Sequence, residues 1–308
     1  MARWKSLYRQ SISETGYLRG VLLNFGSAWA FYLATVFVHQ GTSLKWTQPE
    51  VYAVLRYFLG FLIFGGLFMA RRLRAGPAAG SPPPMKFLIM RGVFNVTAVL
   101  CFYRAVALGA AGKANVLNMT YPAFVALFAG PLLREFPRPR TLLLLLISLV
   151  GIALNFHEPL TGSRGLDVAD LWGIASGISA GLAIVSLRGA AREADPVLIL
   201  TWMFGMGLIV LLPLSWTGLT AIFGPLAMYI VPSALMGVLG QWLLTASYGR
   251  LPATTGSMIS SSRIPIALVF GFLVLNESHS LFSWLGAGLI FVCNLLLAFQ
   301  NSREKDVA

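Results

Sequence analysis

The sequence predicts an all-α integral membrane protein: ten transmembrane helices arranged as two inverted five-helix repeats. Three observations carry that prediction. The 308-residue chain is 57% hydrophobic and only 11% charged, whereas soluble domains are roughly half apolar and a quarter charged. Its apolar residues fall into ten runs, each near the length of about 20 residues that a hydrocarbon core of about 30 Å requires. One interrupted run also recurs. GKANVLNMTYPAFVALFAGPLLRE (Gly112–Glu135) and ATTGSMISSSRIPIALVFGFLVLNE (Ala253–Glu277) share a plan of polar residues, a proline, then an apolar stretch closed by glutamate. Pro122 and Pro265 are 143 positions apart, close to half the chain, as a duplicated transporter requires.

The runs lie at roughly 17–38, 50–70, 87–108, 112–133 and 140–156, then 167–188, 196–216, 225–248, 253–275 and 281–300. The first is too long for a cleavable signal segment and lacks a small-residue cleavage site, so it is expected to be retained. Arg3, Lys5, Arg9, Arg71, Arg72, Arg74, Lys86, Arg134, Arg138, Arg140, Arg188, Arg192, Arg250, Arg303 and Lys305 all fall on one set of alternate loops and tails. The other set holds only Lys45, Lys113 and Arg164. That asymmetry places both termini in the cytoplasm.

The organisation that follows is a cytoplasmic segment 1–16, a first repeat 17–156, an outer connecting loop 157–166, a second repeat 167–300 and a cytoplasmic tail 301–308. Because five spans is an odd number, the second repeat enters the membrane upside down, and two such halves can rock about a shared central site. GPAAGSPPP (Gly76–Pro84) reads as a cytoplasmic connector.

Several function classes are excluded. The net charge of +12 is split among short groups between apolar runs, so nucleic acid, which needs a solvated basic patch, is not an expected partner. Cys101 and Cys293 sit in apolar runs and read as small core residues rather than a disulfide. His39, His157 and His279 have no metal-ligand spacing, and no Ser/His/Asp or paired-carboxylate constellation is present. No catalytic residue, metal or cofactor is expected. The acceptor-like Asn95-Val-Thr, Asn118-Met-Thr and Asn276-Glu-Ser are discounted as glycosylation sites, two being intramembrane and one against a span end.

The segments FYRAVALGAAGKANVLNMTYPAFVALFAGPLLRE (Phe102–Glu135) and TASYGRLPATTGSMISSSRIPIALVFGFLVLNE (Thr245–Glu277) resemble the drug/metabolite transporter superfamily in its EamA-type branch. Each shows a small-residue helix end, a tight turn, a polar half-helix with proline and a terminal Glu; Arg56 early in the second run is similar too. The second copy reads Asn276-Glu277 where that pattern often has Gly-Glu. The resemblance implies a secondary carrier with a cavity between the repeats. Substrates across that superfamily include amino acids, nucleotide sugars, phosphorylated sugars and drugs.

Arg263 lies about ten residues from either end of its run, roughly 15 Å deep. Charge there costs at least about 2.5–3.5 kcal/mol against lipid, so it is expected to face a cavity or a partner. No acidic residue falls in the interior of a run; each lies near a run end or in a loop. Arg263 is therefore expected either to meet a substrate carboxylate or phosphate or to bond carbonyls freed by Pro265, which cannot donate and clashes with the carbonyl of Ser261. Ser257, Ser260 and Ser261 share one face beside it, as cavity hydroxyls or as back-bonding serines.

Asn115, Asn118 and Pro122 share a face in the partner run, offering amides to an ammonium, carboxylate or hydroxyl or to a neighbouring helix. Asn24, Asn95, Trp172, Ser176, Ser179 and Gln241 complete the expected substrate-binding set, with Pro122 and Pro265 as helix breaks. Glu135 and Glu277 close mirrored runs and are expected to anchor or gate. Arg91, near a cytoplasmic end, is expected to snorkel to lipid phosphate. Gly173, Gly177 and Gly181 form a small-residue ridge for close helix contact.

The reading is a secondary transporter of a small, carboxylate-bearing, amino-acid-like solute, as exporter, facilitator or exchanger. It is a monomer or homodimer in a bacterial inner membrane, with lipid as its other partner. Alternatives are a carrier of phosphorylated or nucleotide-linked sugars, an integral-membrane enzyme acting on lipid head groups, or a non-transporting scaffold.

Overall fold

An apolar segment in hydrocarbon can satisfy its own backbone as a helix, and each predicted run takes that form. The computed structural model describes residues 14–43, 49–75, 83–108, 114, 117–155, 167–216, 224–274 and 279–300. The expectations for Asn115, Glu277, His157, both chain ends, the connecting loop at 157–166 and most of the Gly76–Pro84 connector lie outside those residues.

All regular structure among the described residues is helical. The first half supplies α1 (Glu14–Ser43), α2 (Pro49–Ala75), α3 (Met85–Leu108), α4 (Tyr121–Leu133) and α5 (Pro139–Asn155). The second supplies α6 (Val168–Ala191), α7 (Pro196–Leu214), α8 (Ala227–Tyr248), α9 (Ala253–Ser260), α10 (Arg263–Val274) and α11 (Leu281–Gln300). Taking α9 and α10 as one stretch, 8 are long and apolar enough to cross a membrane, while Leu117–Leu133 and Pro139–Asn155 are shorter. The 17 residues of α5 reach about 25 Å, at the low end of a crossing. Outward-facing Leu143, Leu146, Phe282 and Phe299 give the bundle an apolar exterior suited to lipid.

Both proline-bearing stretches are interrupted by a turn just before the proline. Between α9 and α10 the chain turns at Ser261 and Ser262, and Pro265 falls third in α10, where a missing N–H costs little. In the first half, Thr120 forms a turn after Leu117–Met119 and Pro122 sits second in α4. The carbonyls at the second break are not free, contrary to expectation. Met258, Ile259 and Ser261 carbonyls accept from the amides of Ser261, Ser262 and Ile264 at 2.9, 3.0 and 2.9 Å. These i→i+3 bonds tighten the turn and absorb the acceptors that Pro265 would otherwise strand.

The main helix pairs are α3 on α6, α1 on α8, α2 on α7 and α5 on α11, followed by α4 on α6, α2 on α8 and α7 on α3. Lesser pairs are α4 on α9, and α9 and α10 on α1. Replacing each predicted run by the one five places along maps these pairs onto one another. Small residues permit the closest approaches. The ridge on α6 meets α4: a Cβ on Gly177 would lie 2.7 Å from the Leu117 carbonyl oxygen, and one on Gly181 2.7 Å from Phe124 Cβ. At the α5–α11 crossing, a Cβ on Gly286 would lie 2.3 Å from the Gly151 oxygen and one on Gly151 2.8 Å from the Gly286 oxygen. Asn155 Nδ2 donates to the Ser283 carbonyl (3.1 Å), and Ser283 Oγ returns a bond to the Asn155 carbonyl (3.2 Å). Cys101 and Cys293 are both free and buried.

The α5–α11 contact is backbone against backbone, so no side chain can yield. Gly286→Ala is expected to cost about 1–3 kcal/mol through overpacking and to lower the thermal midpoint in detergent. Gly288→Ala, whose Cβ would meet nothing within 4 Å, is the control. Equal midpoints for the two variants would contradict the close crossing.

Candidate functional site

The two broken spans meet where Tyr121, the first residue of α4, donates its hydroxyl to the Ser257 carbonyl in α9 at 3.2 Å. Around this crossing the neighbouring helices contribute polar side chains, and most of them are already engaged. Asn24 is fully buried. Its Nδ2 donates to Ser247 Oγ (3.2 Å) and to the Gly256 carbonyl (3.1 Å), and its Oδ1 accepts from Ser260 Oγ (2.8 Å). Asn118 donates to Ser176 Oγ (2.7 Å), which donates in turn to the Ala98 carbonyl (2.9 Å). Ser27 makes the corresponding bond between α1 and α8, to the Gly240 carbonyl (2.8 Å).

The serine row is mainly back-bonding. Ser257 Oγ donates to the Thr254 carbonyl (2.7 Å) and Ser261 Oγ, more loosely, to the Ser257 carbonyl (3.4 Å). A bond spent inside one helix satisfies the hydroxyl and contributes little to a cavity. Ser260 is the member that reaches another span. Ser179 is buried. Trp172, grouped by sequence with Ser176, is 39% exposed near the start of α6, a position that suits an interfacial anchor. Gln241 is buried with its Nε2 unpartnered.

Arg263 is half-buried, and its Nη2 lies 3.2 Å from Met119 Sδ. A thioether is a weak acceptor and neutralises no charge. Tyr121 stands within electrostatic range of Arg263. Asn95 Nδ2 donates to the Tyr57 hydroxyl, joining α3 to α2. One turn earlier, Arg91 departs from its expected place. It is 2% exposed and does not reach the lipid surface; its Nη1 donates to the Ala183 carbonyl at 3.1 Å. The reason is the direction of its face: Leu88, three residues before, lies in the core cluster with Ile184, Leu187, Leu244 and Tyr248, so Arg91 points inward as well.

Glu135 is positioned by a helix end. Arg134 adopts φ 56°, in the left-handed region, and the amides of Arg134 and Glu135 bond the carbonyls of Gly130 (2.9 Å) and Ala129 (3.2 Å), a helix end closed by the 5→1 bond of a left-handed cap. This aims the carboxylate at the second half. Oε1 accepts from Arg188 Nε (2.8 Å) and from Arg192 Nη2, and Oε2 accepts from the Ala253 amide (2.8 Å). Arg188 Nη1 also donates to the Tyr248 carbonyl (2.7 Å). One carboxylate therefore joins α4, α6, α8 and the N-terminus of α9, where negative charge is favoured. Burial pushes the Glu135 carboxyl up, but Arg188, the Ala253 amide and Arg192 outweigh it and hold the group below its ordinary value of 4.5.

Sequence reasoning placed Arg188 and Arg192 among loop charges and missed that they pair with Glu135. It also missed Tyr57 and Tyr248, two of the largest fully buried side chains. The i, i+4 spacing of Arg91 and Asn95 was the available signal for an inward polar face on α3.

Neutralising Glu135 leaves Arg188, whose side chain is 10% exposed, without its counter-charge. Glu135→Gln is expected to cost about 3 kcal/mol, the low end for a broken buried pair, because Arg192 keeps 27% exposure. The contribution of a depressed carboxyl is present above 4.5 and is lost as pH falls through the lower native value. Thermal midpoints of the two proteins should therefore differ at neutral pH and converge in acid. A gap that persists at low pH would count against the ion pair.

Residues 18–157 and 167–299 match the EamA-like transporter family. An uncharacterized transporter of Helicobacter pylori J99 is 31% identical over 220 residues, covering 69% of this chain and 73% of that one. The pseudopaline exporter of Pseudomonas aeruginosa UCBPP-PA14 is 24% identical, over 91% of this chain and 95% of its own. The riboflavin transporter of Brucella anthropi is 26% identical, over 88% and 96%. A solved crystal structure superposes with a TM-score of 0.69 at 14% identity, covering 93% of this chain and 98% of that chain, a likeness of fold. With both matched segments spanning nearly the whole sequence, the chain belongs to the EamA-like transporter family and is a membrane transporter.

Proposed function

We propose that the chain is a secondary transporter that moves a small, carboxylate-bearing, amino-acid-like solute by alternating access between two inverted five-span repeats. The observation that supports this reading is that the most extensive helix pairs map onto one another when each predicted span is exchanged for the one five places along. Two halves in that relation can rock about a site at their interface. The repeats are 17–156 and 167–300, both tails face the cytoplasm of a bacterial inner membrane, and the unit is a monomer or homodimer.

Arg263, with Asn95, Asn115, Asn118, Gln241 and Ser260, lines the path. Arg263 has only Met119 Sδ as a hydrogen-bond partner among the described residues, and the carbonyls it was expected to serve are already bonded. An anionic solute supplies the missing partner. Glu135 acts as the cytoplasmic anchor, tying the first half to the second in this conformation, and Glu277 is its counterpart. A relative named as an exporter supports outward movement. Carriage of phosphorylated or nucleotide-linked sugars is the second reading, favoured by the same cations.

With every carboxylate near a span end or in a loop, the carrier is expected to work as a facilitator or exchanger. Reconstituted vesicles should show counterflow of labelled amino acid, and an imposed pH gradient should drive no accumulation; accumulation against the solute gradient would overturn this. Arg263→Ala should abolish counterflow at a nearly unchanged thermal midpoint. Impermeant labels applied from outside the cell should reach neither tail.

A further inference from the structure

Among buried polar atoms without a hydrogen-bond partner are Arg91 Nε on α3 and the Tyr248 hydroxyl on α8. The two residues stand within electrostatic reach of one another, and Tyr57 is within reach of Arg91 as well. Both are held from α6: Arg91 donates to the Ala183 carbonyl, and the Tyr248 carbonyl accepts from Arg188. Ser260 lies near Tyr248 but donates its own hydrogen to Asn24 or the Gly256 carbonyl, and in this conformation its oxygen is outside hydrogen-bond geometry with the phenol. No carboxylate pairs with Arg91 among the described residues. A buried guanidinium with one carbonyl for a partner, beside a buried phenol with none, is poorly satisfied as a structural element. Both groups have an N–H or O–H to donate, and a carboxylate or phosphoryl oxygen can accept both.

We propose that Arg91 and Tyr248 form an acid-binding contact on the transport path, the guanidinium Nε–H and the phenolic O–H converging on an acid group of the solute. This rests on the reading of the chain as a carrier of acid-bearing solutes and adds to Arg263 a second cationic station, nearer the end closed by Glu135. The solute's acid group reaches Arg91 when that end opens.

Thermal-shift titration of the purified full chain tests it. The probes are the L-amino acids, histamine and cadaverine as counterparts lacking the carboxylate, glucose 6-phosphate and UDP-glucose. An acid should raise the wild-type midpoint and the two amines should not; whether a carboxylate or a phosphoryl compound does so identifies the acid. Arg91→Gln should weaken the apparent affinity at least about tenfold, the range for a hydrogen bond to a charged group, with partial rescue in Arg91→Lys. Tyr248→Phe should keep or raise the unliganded midpoint, because it removes an unsatisfied hydroxyl, while weakening affinity several-fold. Wild-type affinity in Arg91→Gln and Tyr248→Phe removes this contact and leaves the carrier reading standing. Should Arg91→Gln fail to fold, unchanged affinity in Tyr248→Phe alone removes it. A wild-type chain that responds to no acid, or equally to the amines, overturns the acid-solute reading and the contact together.

Discussion

Hydrocarbon offers no partner to a polar group, and that constraint shapes every feature near the middle of this bundle. A span interrupted by proline leaves backbone acceptors without donors, and they must be satisfied inside the protein. Here the interruption is tightened by i→i+3 bonds through Ser261 and Ile264, and the side chains around it are tied to neighbouring spans. Asn24 binds α8 and α9 at once. Such a break is stable only while α1 stays in place beside it, so the broken span and its neighbour must move together.

The same logic appears twice, with the residues exchanged. Span one meets span nine through an asparagine on the former and a serine on the latter, Asn24 and Ser260. Span six meets span four through a serine on the former and an asparagine on the latter, Ser176 and Asn118. Ser27 to Gly240 and Ser176 to Ala98 repeat a second bond between spans one and eight and between six and three. The interaction between two positions persists while the residues that make it change places, because a hydroxyl–amide bond satisfies both groups whichever helix carries the amide.

That exchange explains what the sequence made legible. Apolar length, the repeated proline and the α6 glycine ridge act locally or by steric exclusion, and each leaves a mark in one segment. The partners of Asn24 lie 223 and 236 positions away, and those of Glu135 lie at the ends of two different helices of the other half; a single sequence carries no trace of such contacts. The serines of α9 mislead for a further reason. A hydroxyl that bonds its own helix and one that lines a cavity have the same spacing, and only the neighbours decide between them. Arg91 misleads because position along a span was used where the direction of its face mattered.

Charge balance gives the last step. The interior holds guanidinium groups at Arg91 and Arg263 with no carboxylate near the middle of a run, while the carboxylate of Glu135 pairs with Arg188 and Arg192 at the helix ends. A protein built for rigidity would gain by replacing such interior cations with apolar side chains, since desolvation of an unpaired charge is costly. Keeping them stabilises whichever state brings an anion to them, the role proposed above for the solute. The proposed carrier would favour its loaded form for crossing, because in the unloaded form the cations must remain unpaired while the contacts of Glu135 are broken. Under that proposal, exchange of one acid for another has a lower barrier than the return of an empty carrier.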